Sequence, residues 1–169
     1  VGEETQKTAI NAQQRPLRAA PPSNTARRSL GDRLPTGWMI TDTMLPICRG
    51  QRLGLFAGSG VGKSTFLGSL ASGVKADRVV IALVGERSRE VNEFVHKTLP
   101  KSVLSKTVIV AATANEPPGA KKRAALCAVT AAEHFRDVGM KIQTYDHRQI
   151  TTHYLTYSPD NLSLAVLVV

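Results

Sequence analysis

The sequence predicts an α/β protein built on a parallel sheet, and the order of its apolar segments carries that prediction. Val79-Val80-Ile81-Ala82-Leu83-Val84 and Val108-Ile109-Val110-Ala111-Ala112 are continuous apolar runs, the pattern of strands buried on both faces. Stretches with helical spacing alternate with them, as crossover connections in a parallel sheet require. A third, shorter apolar run, Leu53-Gly54-Leu55-Phe56-Ala57, leads directly into a glycine-rich loop.

Taken in order, residues 1–34 are rich in Gln, Asn, Ser, Arg and Pro and follow neither period. Arg15-Pro16-Leu17-Arg18 and Pro21-Pro22-Ser23-Asn24 read as extended linker, since proline cannot continue a helix or donate to a ladder. Leu53-Gly54-Leu55-Phe56-Ala57 is the first strand, and Phe66, Leu67, Leu70 and Ala71 then recur at helical spacing. The 79–84 strand follows, then a helix that places Val91, Phe94, Val95 and Leu99 on one face. After the 108–112 strand, Pro117-Pro118 opens a long alanine-rich helix through about Val138, proline being tolerated in a first turn. Past Gly139 the pattern breaks. Lys141-Ile142-Gln143-Thr144-Tyr145-Asp146-His147-Arg148 is too polar for a buried strand and too irregular for a helix. Leu162 to Val169 alone regains strand character. A sheet without a central strand would leave apolar helix faces uncovered, so low solubility of the isolated chain is expected.

Composition narrows the function. The 169 residues carry 22 Lys and Arg against 13 Asp and Glu, a net charge of +9, spread along the chain without a long basic block. Lys121-Lys122-Arg123 reads as the solvated face of the long helix, and no basic patch interleaves with aromatics, so no nucleic-acid partner is expected. No apolar run reaches the length of a membrane-spanning helix, and the first twenty residues lack a secretory apolar stretch. Cys48 and Cys127 stand far apart, as in a reduced, cytoplasmic protein, and Cys127 is expected to be buried in its helix. The four histidines lack metal-ligand spacing. A chain beginning at Val1 reads as a fragment.

Ala57-Gly58-Ser59-Gly60-Val61-Gly62-Lys63-Ser64 fits the Walker A pattern with Ala at its first position. Glycines let the backbone curl so that N–H groups from Gly58 to Thr65 face phosphate oxygens. Lys63 reaches the β- and γ-phosphates, and the Ser64 hydroxyl is placed to ligate Mg²⁺. The helix beginning near Gly62 adds the positive end of its dipole. Glu86, in Val84-Gly85-Glu86-Arg87-Ser88-Arg89-Glu90, ends the next buried strand, where ligands of open α/β sheets bind. Spacing leaves its role open. It either polarises the attacking water beside a charge-stabilising Arg87, or pairs with Arg87 or Arg89 while Ser88 caps the next helix.

These segments together resemble the F-type/V-type rotary ATPase superfamily, and within it the flagellum-specific export ATPases, also called flagellar ATP synthases. The likeness runs from Leu34-Pro35-Thr36-Gly37-Trp38-Met39-Ile40-Thr41-Asp42 and Arg49 to Ser64, through Ala82 to Val91 and Ala112 to Pro118, to Ala131-Ala132-Glu133-His134-Phe135-Arg136-Asp137. It implies a RecA-like P-loop core, incomplete here. Residues 1–34 would be the linker after an absent N-terminal β-barrel, 35–140 the first part of the ATP-binding domain, and 141–169 a divergent tail, either frameshifted or genuine. The resemblance also implies ATP and Mg²⁺ as cofactors, with Lys63, Glu86 and Arg87 in catalytic roles. Gly58, Ser59, Gly60, Val61, Gly62, Lys63, Ser64 and Thr65 would hold the nucleotide, and Ser64 the metal. It further implies a hexamer that hydrolyses ATP and energises type III export of flagellar proteins, with export-apparatus proteins and substrates as partners. The setting would be cytoplasmic, touching the inner membrane only peripherally through the export gate.

The chain departs from the family where an apolar strand ending in the Walker B aspartate should follow Gly139. Asp146, after Gln-Thr-Tyr, is not taken as its replacement. Enzymatic turnover therefore stays open, and nucleotide binding without turnover is an alternative reading. Virulence-type secretion ATPases and RNA motors are others. The former tend to carry a Gly-Gly-Gly run where this chain has Gly58-Ser59-Gly60-Val61.

Overall fold

The computed structural model describes residues 14–20, 23, 25, 30–55, 61–147 and 164–168, of which 146, 147 and 164–168 are described as backbone. In chain order the elements are α1 (Met39–Thr43), β1 (Arg52–Leu55), α2 (Lys63–Gly73), β2 (Arg78–Val84) and α3 (Ser88–Glu93). A π-helical turn (Phe94–Thr98), α4 (Lys101–Leu104), β3 (Thr107–Ala112), α5 (Pro118–Asp137), β4 (Ile142–His147) and β5 (Leu164–Val168) follow. Among the described residues the strands form one sheet in the order β1-β5-β4-β2-β3, with every neighbouring pair parallel.

The apolar run of β2 explains the two-sided packing. Successive strand residues point to opposite faces. Val79, Ile81 and Leu83 join Leu67, Leu70 and Ala71 of α2, with Phe94, Leu99 and Val103, in one core cluster. Val80, Ala82 and Val84 pack on Ala124, Ala125, Ala128 and Ala132 of α5 in the other. Four alanines on one stripe let α5 lie close to the sheet. Its start also follows the sequence, with Pro117 at the N-cap and Pro118 in the first turn. β3 lies at the sheet edge and is mostly half-buried, not the fully buried strand its composition suggests.

The segment after Gly139 is where the structure corrects the sequence. Residues 142–147 are β4, a central strand hydrogen-bonded to β2 on one side and β5 on the other. The expectation of a sheet without its central strand does not hold. The reason is the backbone, which side-chain patterning does not see. An empty slot between β2 and β5 would strand the N–H and C=O groups along both of their facing edges. Filling it instead buries Gln143, Thr144 and Tyr145, which are at most 3% exposed.

That choice leaves a local cost. Gln143 Oε1, Thr144 Oγ1 and Tyr145 Oη are buried without a hydrogen-bond partner among the described residues. The Gln143 amide reaches the Leu70 carbonyl at only 3.4 Å. Burial pushes the Tyr145 phenol well above its usual 10.0, so it stays neutral. An orphaned buried hydroxyl costs about 1–3 kcal/mol. Tyr145→Phe removes it while keeping the ring, so the variant is expected to gain about 1 kcal/mol. Urea denaturation reads this as a higher midpoint at unchanged slope, and a lower midpoint would contradict it.

Two smaller corrections follow. The stretch carrying Val91, Phe94, Val95 and Leu99 is not one regular helix, because α3 widens into the π-helical turn, closed by Leu99 N–H to Phe94 O at 3.0 Å. Cys127 is exposed on α5 and not buried.

Candidate functional site

The first described part of the glycine-rich loop is the start of α2. Gly58, Ser59 and Gly60 lie outside the described residues. Gly62 is the N-cap with φ of 99°, a left-handed conformation that glycine adopts without strain. Among the described residues no side chain caps this end, and the first turn holds no acidic residue. The first helical bond runs from Phe66 N–H to Gly62 O, so the N–H groups of Lys63, Ser64 and Thr65 precede the ladder. A Cβ built on Gly62 meets nothing within 4 Å. Val61 and Thr65 are exposed, and Lys63 and Ser64 half-buried. Uncapped donors, a dipole's positive end, a lysine and open space make an anion-binding arrangement, so these residues fit a phosphate group.

Glu86 stands just past the carboxyl end of β2 and is 7% exposed. Hydrogen bonds on either side fix its backbone, Gly85 N–H to Ala112 O at 2.7 Å and Ala114 N–H to Glu86 O at 2.8 Å. Arg87 is the N-cap residue of α3 and, like Arg89, is exposed. Ser88 is already the first helical residue and makes no cap, which removes one part of the purely structural reading of this segment. Since all strands are parallel, the start of α2 and Glu86 rise from the same edge of the sheet. β5 and β4 lie between β1 and β2, three inter-strand steps or ~14 Å. Asp146 sits one residue before the end of β4, in register with Ala82 and Leu167. The ground for setting it aside, that Gln-Thr-Tyr is not an apolar run, remains, but the segment is a central strand of the sheet.

Sequence reasoning gave no signal for what lies beside α2. A groove of about 540 Å³ runs along the helix, lined by Thr36, Trp38, Thr65, Ser69, Ser72 and Lys97 among others. Its rim is tied by Asp42, whose Oδ1 accepts from the Thr36 N–H and hydroxyl, both at 2.8 Å, and whose Oδ2 accepts from Gly37 N–H at 3.0 Å. The Thr36 N–H, then the Thr36 hydroxyl, hold the Asp42 carboxyl below its ordinary 3.8, with smaller help from Gly37 N–H and Arg33 and against some desolvation. A lowered folded-state pKa stabilises the protein above the unfolded value and is lost as pH falls through the folded one. The melting temperature is therefore expected to fall more between pH 5 and pH 2 for the wild type than for Asp42→Asn. Parallel curves would refute the linkage.

The sequence pattern of the ATP synthase alpha/beta family, nucleotide-binding domain, matches residues 37–153. The chain belongs to this family. The ATP synthase alpha/beta match runs past residue 140, taking in all of β4. The chain is 56% identical over 120 residues to the flagellum-specific ATP synthase of Rhizobium meliloti (strain 1021), covering 71% of this chain and 25% of that protein. It is 40% identical over 127 residues to the type 3 secretion system ATPase of Xanthomonas euvesicatoria, covering 75% and 29%. The chain thus spans about a quarter of the length of these curated relatives. The assembled ATPase EscN of the enteropathogenic E. coli type III secretion system superposes with a TM-score of 0.79 at 33% identity, covering 96% of this chain and 48% of that one. The α/β nucleotide-binding fold of the family is the fold of this chain. No helix among the described residues is long and apolar enough to cross a membrane.

Proposed function

We propose that this chain is the ATP-binding and hydrolysing part of a subunit that energises export of flagellar proteins through a type III secretion apparatus. The observation that carries the reading is the uncapped start of α2 and the buried Glu86 at one edge of one parallel sheet. Backbone N–H groups from Gly58 to Thr65 and the Lys63 ammonium would hold the ATP phosphates. The Ser64 hydroxyl would hold Mg²⁺, which when bound neutralises charge on the phosphates. Glu86 takes a proton from the attacking water, and Arg87 stabilises the charge that develops at the γ-phosphate end.

Flagellum-specific relatives and the Gly58-Ser59-Gly60-Val61 loop favour the flagellar branch over the virulence-type one. Solved relatives described as the assembled ATPase EscN, alone and with its central stalk EscO, support a homo-oligomer with export-apparatus partners. Export substrates, a cytoplasmic setting and peripheral contact with the inner membrane belong to the same reading. Binding without turnover is the second reading, motivated by the polar character of β4. The position of Asp146 near the end of that central strand favours turnover.

The test is ATP hydrolysis by the purified chain beside Glu86→Gln. Loss of a general base costs about 10²- to 10⁴-fold, so the variant is expected to lose turnover by that factor while its ADP affinity stays within threefold. Equal rates would sink the catalytic assignment, and tight nucleotide binding with no turnover in either protein would establish the second reading.

A further inference from the structure

The contact between α2 and the helix that leaves Glu86 has a steric requirement that the phosphate site does not explain. Gly68 is buried on α2, about a turn and a half from Lys63. A Cβ built there would lie 2.7 Å from Thr98 Cγ2 and 3.0 Å from the Thr98 carbonyl oxygen. Thr98 ends the π-helical turn that continues α3, and α3 begins two residues after Glu86. Residues 88–98 thus form one strut of roughly 15 Å. Its near end is fixed by the hydrogen bonds on either side of Glu86, and its far end by Phe94 and Leu99, each 5% exposed in the core. The π turn inserts an extra residue where the strut meets α2, and such turns are rare and concentrate at functional sites.

We propose that Gly68 is a positioning residue. By admitting Thr98 against α2, it sets where Glu86 and Arg87 stand relative to Lys63 and Ser64. The role rests on the reading that Arg87 and Glu86 act at the γ-phosphate end. A side chain at position 68 must turn the Thr98 side chain aside and still push the Thr98 backbone and α2 apart by a few tenths of an ångström. That moves one half of the site against the other while leaving the first turn of α2 intact. Groups that meet only the terminal phosphate then lose their geometry, and groups that hold the diphosphate keep theirs. A full ångström of misplacement costs about a hundredfold where reacting groups must align, so a fraction of it costs about tenfold.

Preference for a non-hydrolysable ATP analogue over ADP reads this directly. Trp38, the chain's only tryptophan, lies edge-on to Phe66 of α2 with ring centroids 5.2 Å apart, and its fluorescence can follow both titrations. Gly68→Ala is expected to lower the preference about tenfold with ADP affinity within threefold of wild type. Adding Thr98→Ser, which removes the nearest clashing carbon, is expected to restore most of it. Equal weakening of both ligands, or no recovery in the double variant, would overturn the role. If Gly68→Ala fails to fold, Thr98→Ala removes the buttress from the other side and is expected to lower the preference about threefold. An unchanged preference there would overturn the role equally. A wild type without any triphosphate preference would sink the γ-phosphate reading and this role together. A wild type that prefers triphosphate, with variants that do so equally, would sink the positioning role alone.

Discussion

Gly73→Ala is expected to destabilise the chain by about 3 kcal/mol, at the upper end of the range for overpacked positions. A Cβ at residue 73 would lie 1.7 Å from the Thr36 carbonyl oxygen and 2.8 Å from its carbon. Both are backbone atoms, so no side-chain rotation relieves the clash. Nor can the Thr36 segment retreat easily. Thr36 is fully buried, its N–H and hydroxyl are held by Asp42, and Trp38 N–H donates to its hydroxyl at 3.2 Å. The last turn of α2 therefore has to move, and with it the Val74 N–H bond to Leu70 O at the helix end. In a domain of this size the loss lowers the melting temperature by roughly 6–12 °C. Gly119→Ala is the control. A Cβ there meets nothing within 4 Å, so the exchange should raise stability by up to about 1 kcal/mol through helix propensity. If Gly73→Ala melts with the wild type, α2 and the Thr36 segment do not approach this closely.

The parts of the fold that were legible are those where side-chain pattern and backbone need agree. β2 announced itself because both of its faces are covered, by α2 on one side and α5 on the other. The start of α2 was legible because the phosphate binding proposed for it would constrain residue type position by position. β4 was not, because Gln143, Thr144 and Tyr145 contradict their burial. Only the unpaired edges of β2 and β5 call for a strand there, and those edges are invisible until the sheet order is known. The π turn left no trace either, since its hydrophobic residues still fall near helical spacing. Gly68 and Gly73 read in the sequence only as poor helix formers. Their meaning lies in Thr98 and Thr36, thirty and thirty-seven positions away in the chain. Cys127 shows the opposite error, where residue type suggested burial and the helix face decided otherwise. At the candidate site, sequence supplied the residues, and the parallel sheet supplies the common edge from which they act.

Lys63→Ala is expected to weaken nucleotide binding by about 30- to 150-fold, the equivalent of about 2–3 kcal/mol for a charge-assisted contact. The same change should leave the unliganded chain no less stable, and this pairing separates a ligand-binding lysine from a structural one. Lys63 opens α2, where the helix dipole presents its positive end, so its own charge is unfavourably placed there by about 0.3–1 kcal/mol. No acidic residue in that turn offsets it. Alanine is also the better helix former. Without ligand, the variant should therefore melt at the wild-type temperature or slightly above it. With Mg-ADP present the order should reverse, because bound ligand stabilises the wild type in proportion to the logarithm of ligand concentration over Kd. Calorimetric titration gives the affinities, and melting curves with and without ligand give the crossing. A variant that melts lower without ligand would mean that Lys63 holds α2 in place. A variant that binds as the wild type would remove the phosphate site from the start of α2 altogether.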